Sequence, residues 1–147
     1  GTAAAVVDAF DAGADGVRIG TRFVAAVEAD AHPEYVCALV DATAADTEVT
    51  TTFGLGWPDA PHRVLRCSIE RADALTADTA GTMDLGTART PVPRFSPIPP
   101  SSDFEGSVEA TALYAGMSCD AVTGAQPAAA IVSELIDGAA AIIAERS

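Results

Sequence analysis

The sequence predicts an α/β fold, and three observations in its first thirty residues carry that prediction. Residues 2–13 form an amphipathic helical pattern, residues 16–19 a short β-branched stretch behind a glycine turn, and residues 22–28 a new helical pattern directly after it. Helix, tight turn, strand, tight turn, helix is the order in which parallel α/β proteins are assembled.

The first helix starts at Thr2, whose hydroxyl can cap the free amides of the opening turn. Val6, Val7, Phe10 and Ala14 recur on one face, and Gly13 supplies the left-handed residue that ends a helix. A helix beginning at Pro33 presents Tyr35, Val36, Leu39, Val40 and Thr43 on one side. Residues 47–53 are β-branched and strand-like, and the Gly54-Leu55-Gly56-Trp57-Pro58 run breaks them. Val64, Leu65, Ile69 and Ala72 fit helical spacing over residues 63–75. Residues 76–106, rich in Thr, Pro, Gly and Ser, read as an extended loop. Helices are predicted over 103–115 and 127–145, the last one burying Ile131, Leu135, Ile136, Ala139, Ile142 and Ile143.

Composition narrows the partners. The chain has 147 residues and a net charge of −13, from 21 acidic against 8 basic side chains. Nucleic-acid affinity comes from Lys and Arg neutralising phosphates, so nucleic acid and anionic membranes are not expected partners. No apolar run approaches the roughly 18 residues of a membrane span, and a cytoplasmic location is expected. Cys37, Cys67 and Cys119 are widely spaced, which points to a reducing compartment and to buried, apolar thiols. His32 and His62 lie far from any cysteine cluster, so no metal site is predicted. The first residue is Gly1, which suggests a processed, truncated or excised chain.

The chemically informative segment is GADGVRIGTRF at residues 13–23. A strand that runs into Gly20-Thr21 and then starts a helix leaves unpaired amides pointing outward, with the positive end of the helix dipole behind them. Glycine at position 20 lets a phosphate approach the main chain without meeting a Cβ atom, and Thr21 adds an N–H and a hydroxyl. The competing account is an ordinary strand-to-helix turn with Thr21 as a plain cap.

This segment, with Ala31-His32-Pro33-Glu34-Tyr35 after it, resembles the nitronate monooxygenase (2-nitropropane dioxygenase) family. So do Thr51-Thr52-Phe53, Gly56-Trp57-Pro58, Arg63-Val64-Leu65-Arg66, Leu113-Tyr114-Ala115-Gly116 and Gln126-Pro127-Ala128-Ala129, in that order. The resemblance implies the C-terminal part of an FMN-binding (β/α)8 TIM-type barrel plus an added helical segment. Residues 1–30 would be the last βα units with the phosphate corner, and 31–147 a mainly helical post-barrel segment. A closed barrel of this type needs roughly 250 residues, more than are present.

By the same resemblance, the parent protein would oxidise alkyl nitronates with molecular oxygen, using FMN and a histidine base. Its partners would be a nitronate-like carbon acid and oxygen, with a homo-oligomer left open. Ile19, Gly20 and Thr21 would match the backbone that holds the FMN phosphate, with Arg18 where the family often has Gln. The family's Gly-Gly-Ile strand end and its catalytic histidine are absent from this sequence. Met117 stands where related sequences usually carry Gln. No catalytic residue is therefore assigned: His32 reads as a helix cap and His62 as a loop residue, and the chain by itself is expected to be inactive. Trp57 reads as a loop anchor over an apolar patch. The alternatives are a flavin-dependent enoyl reductase of fatty-acid synthesis, or a non-enzymatic assembly module.

Overall fold

The computed structural model describes residues 1–84, 86 and 88–146. Leu85 and Thr87, within the segment expected as a loop, and Ser147 lie outside the described residues. Among the described residues, five α-helices and five strands make a mixed α/β chain: α1 (Ala3–Asp11), α2 (Thr21–Val24), α3 (Pro33–Asp41), β1 (Thr47–Thr50), β2 (His62–Leu65), α4 (Arg66–Ala74), β3 (Thr79–Asp84), β4 (Arg89–Pro93), β5 (Glu105–Gly106) and α5 (Ala128–Glu145).

The capped helices form where expected. Thr2 accepts from the Ala5 amide at 3.2 Å, and Gly13 sits at φ +90° just beyond α1. Pro33 opens α3, and the His32 ring accepts from the Glu34 amide at 3.2 Å. Pro127 precedes α5. The packing of α1 on α5 is close because position 138 is glycine; a Cβ there would lie 2.7 Å from the Ala3 Cβ.

Several expectations fail. Residues 16–19 form no strand: no described residue pairs with their backbone, and a strand needs a neighbour to exist as a ladder. The helix expected over 22–28 shrinks to α2 and a 3-10 turn at Val27–Ala29. Val64 and Leu65 belong to β2, not to the helix expected over 63–75. They pair with Glu48 and Thr47 of β1, and both are buried. Residues 76–106 are not one extended loop but supply the antiparallel sheet β4-β3-β5. The helix expected over 103–115 is replaced by β5 and a 3-10 turn at Val108–Ala110. The segment after residue 30 is therefore not mainly helical, since it holds all five strands.

The main core gathers Tyr35 and Leu39 of α3, Leu65, Met83, Val92, Phe104 and Leu113. A second cluster joins Phe53, Val64, Ala72 and Ala112. A third sets Ile131 and Leu135 of α5 against Ala26. Ile136 and Ile143, expected to be buried with them, are 62% and 51% exposed and line a groove beside α1.

Candidate functional site

Two helix starts converge on one cleft. Its volume is about 490 Å³, and it is bordered by Gly1, Thr2, Ile19, Gly20, Gly116 and Ser118, with Arg18 at its edge. The opening turn of α1 has amides without intrahelical acceptors, and so does that of α2. Phe23 N and Val24 N turn back to the Gly20 carbonyl, while Thr21 N and Arg22 N precede any such bond.

Gly20 faces open space. A Cβ built on it meets nothing within 4 Å, and its φ of −105° is one that any L residue can adopt. Glycine here leaves room in the cleft and is not required by backbone strain. Arg18, exposed at its rim, is the one charged side chain lining the cleft of a chain whose net charge is −13. Helix-start amides, a cation and no lining carboxylate suit an anion.

Thr21 ties this corner to a distant segment. Its Oγ1 accepts a hydrogen bond from the Gly116 amide at 2.9 Å, across 95 positions of sequence. That bond uses a lone pair of the hydroxyl, so its proton can still be donated. A side chain at 116 would crowd the contact, since its Cβ would stand 3.3 Å from Thr21 Oγ1.

Arg22 fastens the corner from behind. Its side chain is 5% exposed and donates to the Gly1 carbonyl at 3.4 Å, to Gln126 Oε1 at 3.2 Å and to the Glu134 carboxylate. The Arg22 hydrogen bond holds Glu134 below its ordinary 4.5. Arg22 Nε is buried without a partner. The helical pattern over 22–28 gave no signal for this role, because arginine in a helix ordinarily faces solvent. Gln126 also pairs its backbone with Ala25 and Val27. Three sequence positions, at 20–22, 116 and 126, are thus joined by hydrogen bonds.

The nitronate monooxygenase family profile matches residues 1–138. The chain belongs to the nitronate monooxygenase family. Two solved structures are similar to it over 98% of its length. One is FabK from Thermotoga maritima, at 26% identity and a TM-score of 0.66, with 43% of that chain covered. The other is a single-site mutant of that protein, at 27% identity and a TM-score of 0.65, with 40% covered. The chain therefore spans less than half the length of these proteins. No curated protein sequence matched it.

Within this family member, the other candidates lie away from the cleft. His32 caps α3. His62 is not in a loop but begins β2. Its Nδ1 lies 2.9 Å from the Ala60 carbonyl, and its ring packs between Phe53 and Tyr114 at 6.2 and 5.6 Å. A carbonyl only accepts, so Nδ1 carries the proton, and Nε2 is buried without a partner.

Cys119 is buried, and desolvation followed by the Asp120 charge raises its thiol pKa. Cys37 and Cys67 are exposed, against the expectation of burial. Desolvation nevertheless raises the Cys67 thiol. Trp57, expected as a loop anchor, is 58% exposed. Among the described residues no helix is long and apolar enough to cross a membrane, and no three metal-ligating side chains converge.

Tyr35 and Tyr114 brace the wall next to the corner. Tyr35 donates to the Tyr114 carbonyl at 2.6 Å, and the Tyr114 hydroxyl donates to the Pro97 carbonyl at 2.7 Å. Burial, and secondarily Tyr114, push the Tyr35 phenol well above its usual range.

Proposed function

We propose that this chain forms the phosphate-holding part of an FMN-dependent nitronate monooxygenase, an enzyme that oxidises alkyl nitronates with molecular oxygen. The observation that carries this reading is the Thr21–Gly116 hydrogen bond at 2.9 Å. It brings two family-like motifs to the edge of a cleft whose only charged side chain, among the described residues, is the cationic Arg18.

The residues fit a phosphate monoester. Ile19, Gly20 and Thr21 would present backbone amides, Thr21 its hydroxyl proton, and Arg18 a guanidinium reaching over the rim. Bound flavin would supply the two-electron chemistry. The chain's own part is to fix the phosphate and so set the cofactor's register, with Arg22 holding the two helix starts together. A general base contributes about two to four orders of magnitude in rate, and neither histidine borders the cleft to serve as one. The proton-abstracting group would come from elsewhere in the complete protein.

Likeness to FabK favours a second reading, a flavin-dependent enoyl reductase of fatty-acid synthesis. Both readings use the same phosphate corner. Oxygen uptake with propyl nitronate, set beside reduced-nicotinamide consumption with an enoyl thioester, separates them on the complete gene product. Nitronate-dependent oxygen uptake supports the first reading; enoyl reduction without it replaces the first with the second. The 147-residue chain is expected to show neither activity.

A further inference from the structure

A groove of about 570 Å³ lies between α3, Val27 and residues 123–125. The helix α3 carries two apolar stripes. Tyr35 and Leu39 are buried in the main core. Pro33, Val36, Cys37 and Val40 recur at helical spacing on a second stripe, and that stripe lines the groove. Val27 is 66% exposed there, and Val40 is exposed as well. A surface helix ordinarily turns polar side chains away from the core. The only charged side chains of α3 are Glu34 and Asp41, so most of its second face is apolar. Scattered exposed apolar side chains are ordinary, but several sharing one groove mark an interaction surface.

We propose that this groove takes an amphipathic α-helix of a separate protein, aliphatic at its centre and with a Lys or Arg near each end. A ridge at positions i, i+3, i+4 and i+7 is the surface against which a second helix packs its own ridges. Ala25, Ala26, Gly124 and Ala125, which also line the groove, are small and let a partner helix come close. The charges set the partner's sign. Asp30 and Asp41 border the groove, one just before α3 and the other its last residue, and no cation lines it among the described residues. A helix the length of α3 spans about 14 Å, so the partner's cations belong about two to three turns apart. A second copy of this chain fits poorly. Two α3 helices packed antiparallel set Asp30 against Asp41, and packed in parallel they set Asp41 against Asp41; like charges so placed repel. Nor does an α-helix among the described residues supply bases at both ends. The chain has no lysine, α1, α3 and α5 hold no arginine, and the arginines of α4 flank Glu70. An anionic membrane is repelled by the net charge of −13. The proposal stands apart from the flavin reading, because neither Gly20 nor Thr21 borders this groove.

The probe is an alanine-based peptide of about 16 residues, long enough to hold a helix, with leucines along one face and lysines at both ends. Its control has glutamates in place of the lysines. Cys37 lies in the groove and Cys67 outside it, and both are exposed. Alkylation of the two thiols, read by mass spectrometry, therefore reports occupancy of the groove against a thiol that should not change. A saturating amount of the probe should slow alkylation of Cys37 and leave Cys67 as it was. Half-protection should need about tenfold more of the glutamate control, whose ends meet Asp30 and Asp41 with like charge. Added salt should weaken the probe. Val27→Arg puts a cation on an exposed side chain, so circular dichroism should show an intact fold while protection of Cys37 is lost. No protection by the probe, equal protection by the control, equal slowing at Cys67, or protection retained in Val27→Arg would overturn the proposal. So would a Cys37 shielded without the probe, whether by self-association in sedimentation or within the complete gene product.

Discussion

Replacing Thr21 with valine removes one oxygen and keeps the shape of the side chain. The lost atom accepts the Gly116 amide at 2.9 Å, so the substitution leaves that N–H without its partner. An orphaned amide costs about 1–3 kcal/mol when fully buried. Gly116 is only half-buried and water can reach it, which places the expected loss near about 1 kcal/mol, the low end of that range. For a chain of this length, about 1 kcal/mol corresponds to a melting temperature lower by about 2–4 °C. Thermal unfolding followed by circular dichroism reads this directly. Thr21→Ser keeps the oxygen and should melt with the wild type. A Thr21→Val melting temperature equal to wild type, or a Thr21→Ser loss as large as that of valine, would refute the role given to this hydrogen bond.

Gly20→Val should fold normally, because its φ is ordinary and nothing stands within 4 Å of the added Cβ. The branched side chain should fill the cleft, so phosphate-dependent amide shifts should vanish while the melting curve stays unchanged. Gly138→Val should force α1 away from α5, where a Cβ already comes to 2.7 Å from Ala3. A cost of about 1–3 kcal/mol is expected from such overpacking, measurable as a lower urea midpoint. Glu134, held below 4.5 by Arg22, contributes stability that is present above that pH and is lost as pH falls through the folded value. Melting curves taken from about pH 5 down to about pH 3 should therefore fall further for wild type than for Glu134→Gln, which has no such proton to bind.

The helices were legible where periodicity and capping agreed, as at Thr2 with Gly13, His32 with Pro33, and Pro127 before the long apolar face. The strand β2 was not, because Val64 and Leu65 extend the helical spacing of Ile69 and Ala72. A short apolar run cannot be assigned by period alone. The sheet β4-β3-β5 was hidden by its glycines. At Gly81 a Cβ would lie 2.3 Å from the Glu105 carbonyl oxygen, so the residue that reads as a breaker is what lets β5 approach. Residues 16–19 have strand chemistry but no backbone partner among the described residues, and pairing is not a local property. At the site, Gly20-Thr21 could be read from local grammar together with the family resemblance. The Gly116 contact and the Arg22 clasp connect positions 95 and more residues apart, and no local pattern reports them.

In the proposed reading, the corner formed by Gly20, Thr21, Gly116 and the start of α1 holds a phosphate group. Amide chemical shifts of the 147-residue chain, recorded while inorganic phosphate and then FMN are added, test it most directly. Weak, unsaturated binding is expected with both ligands. The shifts should be confined to the amides at the starts of α1 and α2 and to Gly116, because this corner offers only part of a flavin site. Shifts confined to another surface, no shift with either ligand, or tight stoichiometric binding of FMN would contradict it.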